Sequence, residues 1–248
     1  MTGSLLTVQI VEILGRSSQG ISEPFLCRSD TDVLYYVKGR NAGRPDIINE
    51  LLVGQLAQKV GLPIAPFSVV ELPEALIVAN STLDADKLGS GLCFGSMYKE
   101  RTSELKITEA NNLDIDMRIK LFFFDRWIRN GDRTLTEHGG NPNLLWDASK
   151  ESIYVIDHNL AFDNSVSLDE LLKTHVFASA MSNLAQVSLL SDDIKYYFNN
   201  ALLDWEGIVE AIPEEWFFSY SDGTIRVPYD LNRVQATLRR IENEDFWE

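Results

Sequence analysis

Apolar positions follow two rhythms along this chain. Up to about residue 98 they come in short runs rich in β-branched residues, broken by glycine and polar clusters; beyond about residue 113 they recur at helical spacing. Residues 5–14 partly alternate and predict a strand, which runs into the turn Gly15-Arg-Ser-Ser-Gln-Gly20. Residues 25–28 and 33–38 flank Ser-Asp-Thr-Asp and predict a hairpin. In its second strand Leu34, Tyr36 and Lys38 share a face, because strand side chains repeat every two residues. A lysine aligned with an inner face is either the solvated end of the strand or a placed charge. Residues 45–61 predict a helix of about four turns, with Pro45 at its start and Gly61 as its stop, and with an apolar arc wide enough to pack on a sheet. Residues 62–72 predict an extended entry and a strand, residues 74–80 another, and residues 89–98 a last strand bracketed by glycine.

In the second part, Ile115, Ile119, Phe122, Phe123 and Trp127 lie at helical spacing, so a buried helix over 114–129 leads to the break at Asn130-Gly131. Residues 144–146 and 153–156 flank the polar turn 147–152 and predict a second hairpin. The remainder, 167–248, reads as mainly helical, with an irregular stretch at 212–216 and a turn at 221–224. The expected class is α+β: a β-rich part with one main helix (1–98), then a mostly helical part (99–248).

Composition narrows the function classes. Of 248 residues 45% are apolar and 24% charged, as in an ordinary globular protein. The formal net charge of −15 repels phosphate backbones and anionic membranes, so neither nucleic acid nor membrane is expected as a direct partner. Cys27 and Cys93 are isolated and no Cys/His cluster has metal-ligand spacing, which points to a reducing compartment without structural zinc. The apolar run at 121–124 is too short to span a bilayer and no secretion signal is visible, so the cytoplasm is the expected location.

The chemistry-bearing residues each have an ordinary reading. The glycine segment is a turn, Lys38 a surface lysine, Glu50 a helix-start acid favoured by the dipole, Asp132-Arg133 a capped and paired turn, and Asp157 a cap for the next segment. His138 and His175 read as surface or packing residues, and His158 as a residue that fixes local backbone. Their order suggests more. A glycine loop whose N–H groups and serines approach phosphates, a strand lysine and a helix glutamate form the series in which kinases hold α- and β-phosphates, although no Walker A Gly-Lys-Ser/Thr follows. Asp132, an asparagine from the pair Asn141/Asn143 and Asp157, brought from either side of a hairpin, supply a carboxylate for an acceptor proton and hard oxygen ligands for magnesium.

With those residues in place, the chain resembles the HipA-like kinase family, in particular its short, single-module members, and more remotely the phosphoinositide kinases and other protein-kinase-like folds. The resemblance is carried by Gly15-Arg-Ser-Ser-Gln-Gly20, Tyr36-Val-Lys38, Ile48-Asn-Glu50 with Ala57-x-x-x-Gly-Leu-Pro63, Asn130-x-Asp-Arg133, Asn141-Pro-Asn-Leu-Leu145 and Ile156-Asp-His158. It implies a two-lobed protein-kinase-like fold that uses ATP and Mg²⁺ to phosphorylate serine or threonine on a protein substrate, often as the toxin of a toxin–antitoxin pair with an antitoxin partner. By that likeness Gly15, Ser17, Ser18, Gly20 and Lys38 would hold ATP and Glu50 would pair with Lys38. Asp132 would be the catalytic base, Arg133 would brace its loop, and Asp157 with Asn141 or Asn143 would bind magnesium. HipA-like spacing favours Asn141 and protein-kinase spacing favours Asn143. By the same likeness Ser17 or Ser18 could be autophosphorylated, as HipA-like kinases can be, and the added charge would repel ATP phosphates or expel the loop.

Two features depart from the family pattern. Residues 134–140 lengthen the loop between Asp-Arg and the asparagines, and Thr134 replaces a frequent histidine. The N-terminal domain of longer members is also not seen. The competing expectations are a kinase of small molecules or lipids, and a catalytically silent binding module that keeps the kinase shape.

Overall fold

Five strands in the first part of the chain close on themselves in the computed structural model, which describes residues 7–17, 23–219 and 224–247. They are β1 (Val8–Arg16), β2 (Phe25–Ser29), β3 (Leu34–Lys38), β4 (Phe67–Leu72) and β5 (Gly91–Met97), joined as a barrel in the order β1-β2-β3-β5-β4. The closing pair is parallel, with Val8 opposite Val70 and Gln9 opposite Glu71; the other pairs are antiparallel. Alternation sends Phe25 and Cys27 of β2 and Tyr35 and Val37 of β3 into the barrel core with Ile10, Ile13, Val70 and Cys93. The inner face of β3 is therefore Tyr35 and Val37, which corrects the expected alignment of Lys38 with that face. Lys38 points the other way, and is buried there.

Residues 74–80, expected as a strand, are instead the helix α2 (Glu74–Ala79), and α3 (Ala85–Leu88) follows it. Closure explains the difference. β4 is already hydrogen-bonded on both sides, to β1 and β5, so no edge remains for another strand. Pro73 precedes the first turn, and Ile77 is buried in the barrel cluster with Ala85 and Leu88.

Between β3 and β4 runs α1 (Arg44–Lys59), which is apolar nearly all round: Ile47, Ile48, Leu51, Leu52, Val53, Leu56 and Ala57 are fully buried. Gly61, at φ +71°, ends it in a Schellman turn, with Leu62 N–H donating to Ala57 C=O (2.9 Å) and Gly61 N–H to Gln58 C=O (3.0 Å).

The chain divides into two compact units: Met1–Leu52, Ala65–Glu100 and Glu206–Tyr229 form one, and Val53–Ile64, Arg101–Trp205 and Asp230–Glu248 the other. The second unit holds a three-stranded antiparallel sheet of β6 (Thr102–Glu104), β7 (Leu144–Asp147) and β8 (Ser152–Val155). The β7–β8 hairpin is the expected one; β6, a polar Thr-Ser-Glu run with no apolar alternation, carried no signal in the sequence. Its helices are α4 (Ile107–Asn112), α5 (Ile115–Trp127), α6 (Leu168–Thr174) and α7 (Leu184–Leu202), and α9 (Leu231–Leu238) near the end; α8 (Trp205–Glu210), but for Trp205, belongs to the first unit.

Helix α5 is the spine of this unit. Asp114 caps it, accepting from the N–H groups of Asp116 and Met117. Ile119, Leu121, Phe122, Phe123, Phe124 and Trp127 are buried on all its sides. Trp127 stacks on Phe198 of α7 at 4.2 Å between centroids, and its indole N–H donates to Leu238 C=O at 2.7 Å. Burying each such side chain contributes roughly 1.5–3 kcal/mol, which fixes where the loop after α5 leaves the core. Among the described residues no helix is long and apolar enough to cross a membrane.

Candidate active site

The chemistry-bearing residues fall into one group in each unit. In the first unit Lys38 Nζ lies 2.6 Å from Glu50 Oε1, both side chains nearly fully buried. β3 delivers the lysine on its outward face and α1 delivers the glutamate from its second turn. Two charges withdrawn from water at this distance hold each other in place, since separating them strands a buried charge. Gly15 lies in β1 opposite Leu26 of β2, and Ser17 N–H donates to Pro24 C=O at 2.8 Å, so the glycine segment joins β1 to β2. Ser18 and Gly20 lie outside the described residues.

In the second unit the break after α5 delivers Asn130, Asp132 and Arg133 in sequence. The Asp132 carboxylate is half-buried, and its Oδ2 accepts from two amides, Asn143 Nδ2 at 2.8 Å and Asn141 Nδ2 at 2.9 Å. No donor among the described residues is within hydrogen-bond distance of its Oδ1. Asp132 N–H donates to Asn130 Oδ1 (3.2 Å), and Asn130 Nδ2 donates to Asp125 Oδ1 (3.0 Å).

Asp125 is the hidden centre of the arrangement. It sits on α5 at 0% exposure among phenylalanines and accepts from Arg133 Nε (2.7 Å) and from Nη2 (3.4 Å). His175 completes the cluster, its Nε2 lying 2.9 Å from Asp125 Oδ2. The His175 tautomer follows from its other nitrogen: Nδ1 accepts from Phe177 N–H at 3.0 Å, so Nε2 carries the proton and donates to Asp125. Burial alone would raise the Asp125 pKa, yet Arg133 and His175 together hold the carboxyl well below the usual range. For His175 burial dominates and, helped by Arg133, lowers its pKa against the pull of Asp125, which keeps the imidazole neutral.

Arg133 carries the effect of this cluster onward to the hairpin. Its Nη1 donates to Asn143 C=O at 2.6 Å and to Ile156 C=O at 3.3 Å. Asn143 and Ile156 stand opposite each other just outside the β7–β8 ladder, where Ile156 N–H donates to Asn143 C=O (3.1 Å). Asp157 is the next residue, so Asn143 and Asp157 flank one end of the hairpin. Both hold left-handed backbone, at φ +48° and +56°. That region is uncommon for residues other than glycine, though asparagine and aspartate tolerate it best.

The lengthened loop 134–140 does not displace the asparagines. Thr134 N–H donates to Asn141 C=O (2.9 Å), Asn141 N–H to Thr134 Oγ1 (3.2 Å), and Thr136 and Gly139 close the turn reciprocally. Gly140 is required there, since a Cβ at that position would meet Thr134 C=O at 2.4 Å. The insertion is a closed excursion whose two ends are tied together. Thr134, in the place of the frequent histidine, bridges to His175 through the backbone.

These groups are set in a chain whose residues 10–248 match the family described as HipA-like kinase. The chain belongs to the HipA-like kinase family. This HipA-like kinase is similar in fold to the Helicobacter pylori proinflammatory kinase CtkA, with 9% identity, a TM-score of 0.52, and coverage of 98% of this chain and 96% of that one. A further solved structure, the FAT and kinase domain of CtTel1, shares 15% identity over 94% of this chain and 22% of that chain, at a TM-score of 0.29. No curated protein matches.

For this HipA-like kinase, sequence reasoning singled out Asp132, Arg133, Asn141, Asn143 and Asp157, and the structure brings the first four into direct contact with Asp157 next along the hairpin end. It missed Asp125; of the two readings for His175, surface or packing, the structure takes the second, with the ring buried against Phe122 and Phe177, and adds the bond to Asp125. A lone acid inside Phe-Phe-Phe-Asp-Arg-Trp was the available signal: a carboxylate in such a helix needs a buried cationic partner.

Proposed function

We propose that this kinase transfers the γ-phosphate of ATP, with Mg²⁺, to serine or threonine hydroxyls of a protein, the two compact units being its two lobes. The observation that carries the reading is the double anchorage of Asp132. Two amides occupy Oδ2, while Asn130 and the Asp125–Arg133–His175 cluster fix the loop behind it. Oδ1 remains to accept the proton of an incoming hydroxyl, and a carboxylate locked in one rotamer orients that hydroxyl without reorganising.

The donor set at the hairpin end fits magnesium. Asp157 offers a carboxylate, and Asn143, whose Nδ2 is committed to Asp132, offers its Oδ1; both are hard oxygen ligands. Mg²⁺ normally takes one or two such groups and fills its other positions with water and phosphate oxygens. When bound, the ion would neutralise charge on the β- and γ-phosphates. Asn143 is favoured over Asn141 because it is buried and borders the ladder beside Asp157, whereas Asn141 is exposed. Lys38, positioned by Glu50, would hold the α- and β-phosphates, and Arg133 would keep the Asp132 loop and the hairpin in one register.

Transfer from γ-labelled ATP to protein tests the reading. Label should reach protein acceptors with the wild type and disappear in Asp132→Ala and Asp157→Ala variants that remain folded. Label retained in both refutes the residue roles, and label appearing in a purified metabolite or lipid instead of protein reassigns the substrate. For the toxin of a toxin–antitoxin pair, expression of the chain alone should arrest growth and the Asp132→Ala variant should not; growth untouched by the active chain removes that role.

A further inference from the structure

At the C-terminal end of α5 three guanidinium groups gather, within a chain of formal net charge −15. Arg126 and Arg240 both lie over the Phe246 ring, at 4.8 and 5.7 Å from its centroid. Arg240 Nη2 donates to the C=O groups of Arg126 (3.1 Å) and Trp127 (3.2 Å), and its Nε to Thr237 C=O (2.9 Å). Arg129, two residues beyond Trp127, donates from Nη1 to Asn164 C=O (3.0 Å), and Arg126 Nη2 donates to Asp245 C=O (3.3 Å). Each of these bonds ends on a backbone carbonyl; among the described residues none of the three arginines forms an ion pair with a carboxylate. Arg129 Nε is moreover buried with no hydrogen-bond partner.

Carbonyl dipoles orient a guanidinium but leave its charge uncompensated. Burial, followed by the repulsion of Arg129 and then Arg126, pushes the Arg240 pKa down to about 10. The nearby acid, Asp163, is committed to Ser165, whose N–H donates to its Oδ1 at 2.8 Å. The Ser165 bonds, and after them Arg129 and Arg233, hold the Asp163 carboxyl below its usual range. Capping of the α5 carbonyls accounts for Arg240, since a helix C-terminus favours a cation. It leaves Arg126 and Arg129 as two further half-buried charges without an ion pair among the described residues, Arg129 feeling only the more distant pull of Asp163, whose carboxylate is engaged by Ser165. Planar guanidiniums fixed in place and lacking a carboxylate are the usual reception for a phosphate group.

We propose that Arg126, Arg129 and Arg240 form a binding site for a phosphate dianion, separate from the residues assigned to phosphotransfer. The dianion is either free phosphate or a phosphorylated side chain. Arg129 directly precedes Asn130, which joins Asp125 to the backbone of Asp132, so an occupied site would steady the loop that carries the acceptor carboxylate.

The test is isothermal titration of the full chain with inorganic phosphate and with O-phosphoserine, at constant ionic strength held by chloride. Both titrations are repeated with a non-hydrolysable ATP analogue at saturation. Saturable phosphate binding that persists with the analogue present and weakens at least tenfold in Arg129→Gln is the expected result. Arg126→Gln, compared at matched circular dichroism, should behave alike, so that the assignment does not depend on one variant folding. Tighter binding of O-phosphoserine identifies a modified side chain as the source, and tighter binding of phosphate the free ion. No saturable binding to the wild type, full displacement by the analogue, or unchanged affinity in both folded variants overturns the site.

Discussion

Replacing Asp125 by asparagine should be the most damaging near-isosteric change in this protein. The side chain keeps its size, but one acceptor oxygen becomes a donor facing Arg133, His175 or Asn130, all three of which already donate to it. Arg133, at 0% exposure, would lose its only carboxylate among the described residues. Removing one partner of a buried ion pair costs about 3–5 kcal/mol. For a chain of this length roughly 2–4 °C of melting temperature accompanies each kcal/mol, so a fall of about 6–20 °C is expected. Urea unfolding followed by circular dichroism measures the change, with an unaltered m-value confirming that stability moved and not compactness. The double variant Asp125→Asn/Arg133→Met should lose less than the sum of the two single losses, with a coupling of about 0.5–3 kcal/mol. A single-variant loss below about 1 kcal/mol, or strict additivity in the double variant, refutes the account of Asp125 as the buried counterion.

Other expectations follow from the same contacts. Acid should unfold the protein in two stages: His175, whose folded pKa is lowered, favours the folded state above about 6.5 and loses that contribution as pH falls below it, and Asp125, also lowered, loses its own below about 3.8. His175→Gln should flatten the first stage in a pH series of urea midpoints, and an unchanged slope there removes histidine from the explanation. Lys38→Met should cost about 3 kcal/mol, at the lower end of the range for a broken buried pair, and should abolish thermal stabilisation by ATP; a wild-type melting temperature in this variant contradicts the burial of Glu50 against it. Asn143→Ala should reduce transfer far more than Asn141→Ala when both are titrated with Mg²⁺, and the reverse order would move the metal ligand to Asn141.

Much of the scaffold is written in local pattern. Short β-branched runs set by glycine and polar turns specified the barrel strands, Pro45 and Gly61 bracketed α1, and the spacing of Phe122, Phe123 and Trp127 marked α5 as buried, because each of these signals depends only on neighbours along the chain. Lys38, Glu50, Asp132, Arg133 and Asp157 also stood out, through residue type and order. Tertiary structure decided the rest. Whether 74–80 pairs as a strand depends on a free edge, and closure by the parallel β1–β4 pair left none. Which way Lys38 faces depends on which face of β3 the barrel encloses. That Asn143 and Asn141 share one oxygen of Asp132 required an insertion that ties its own ends. Asp125 and His175 meet across fifty positions of chain, and the charge of one and the neutrality of the other come from a common burial with Arg133 that no local window contains.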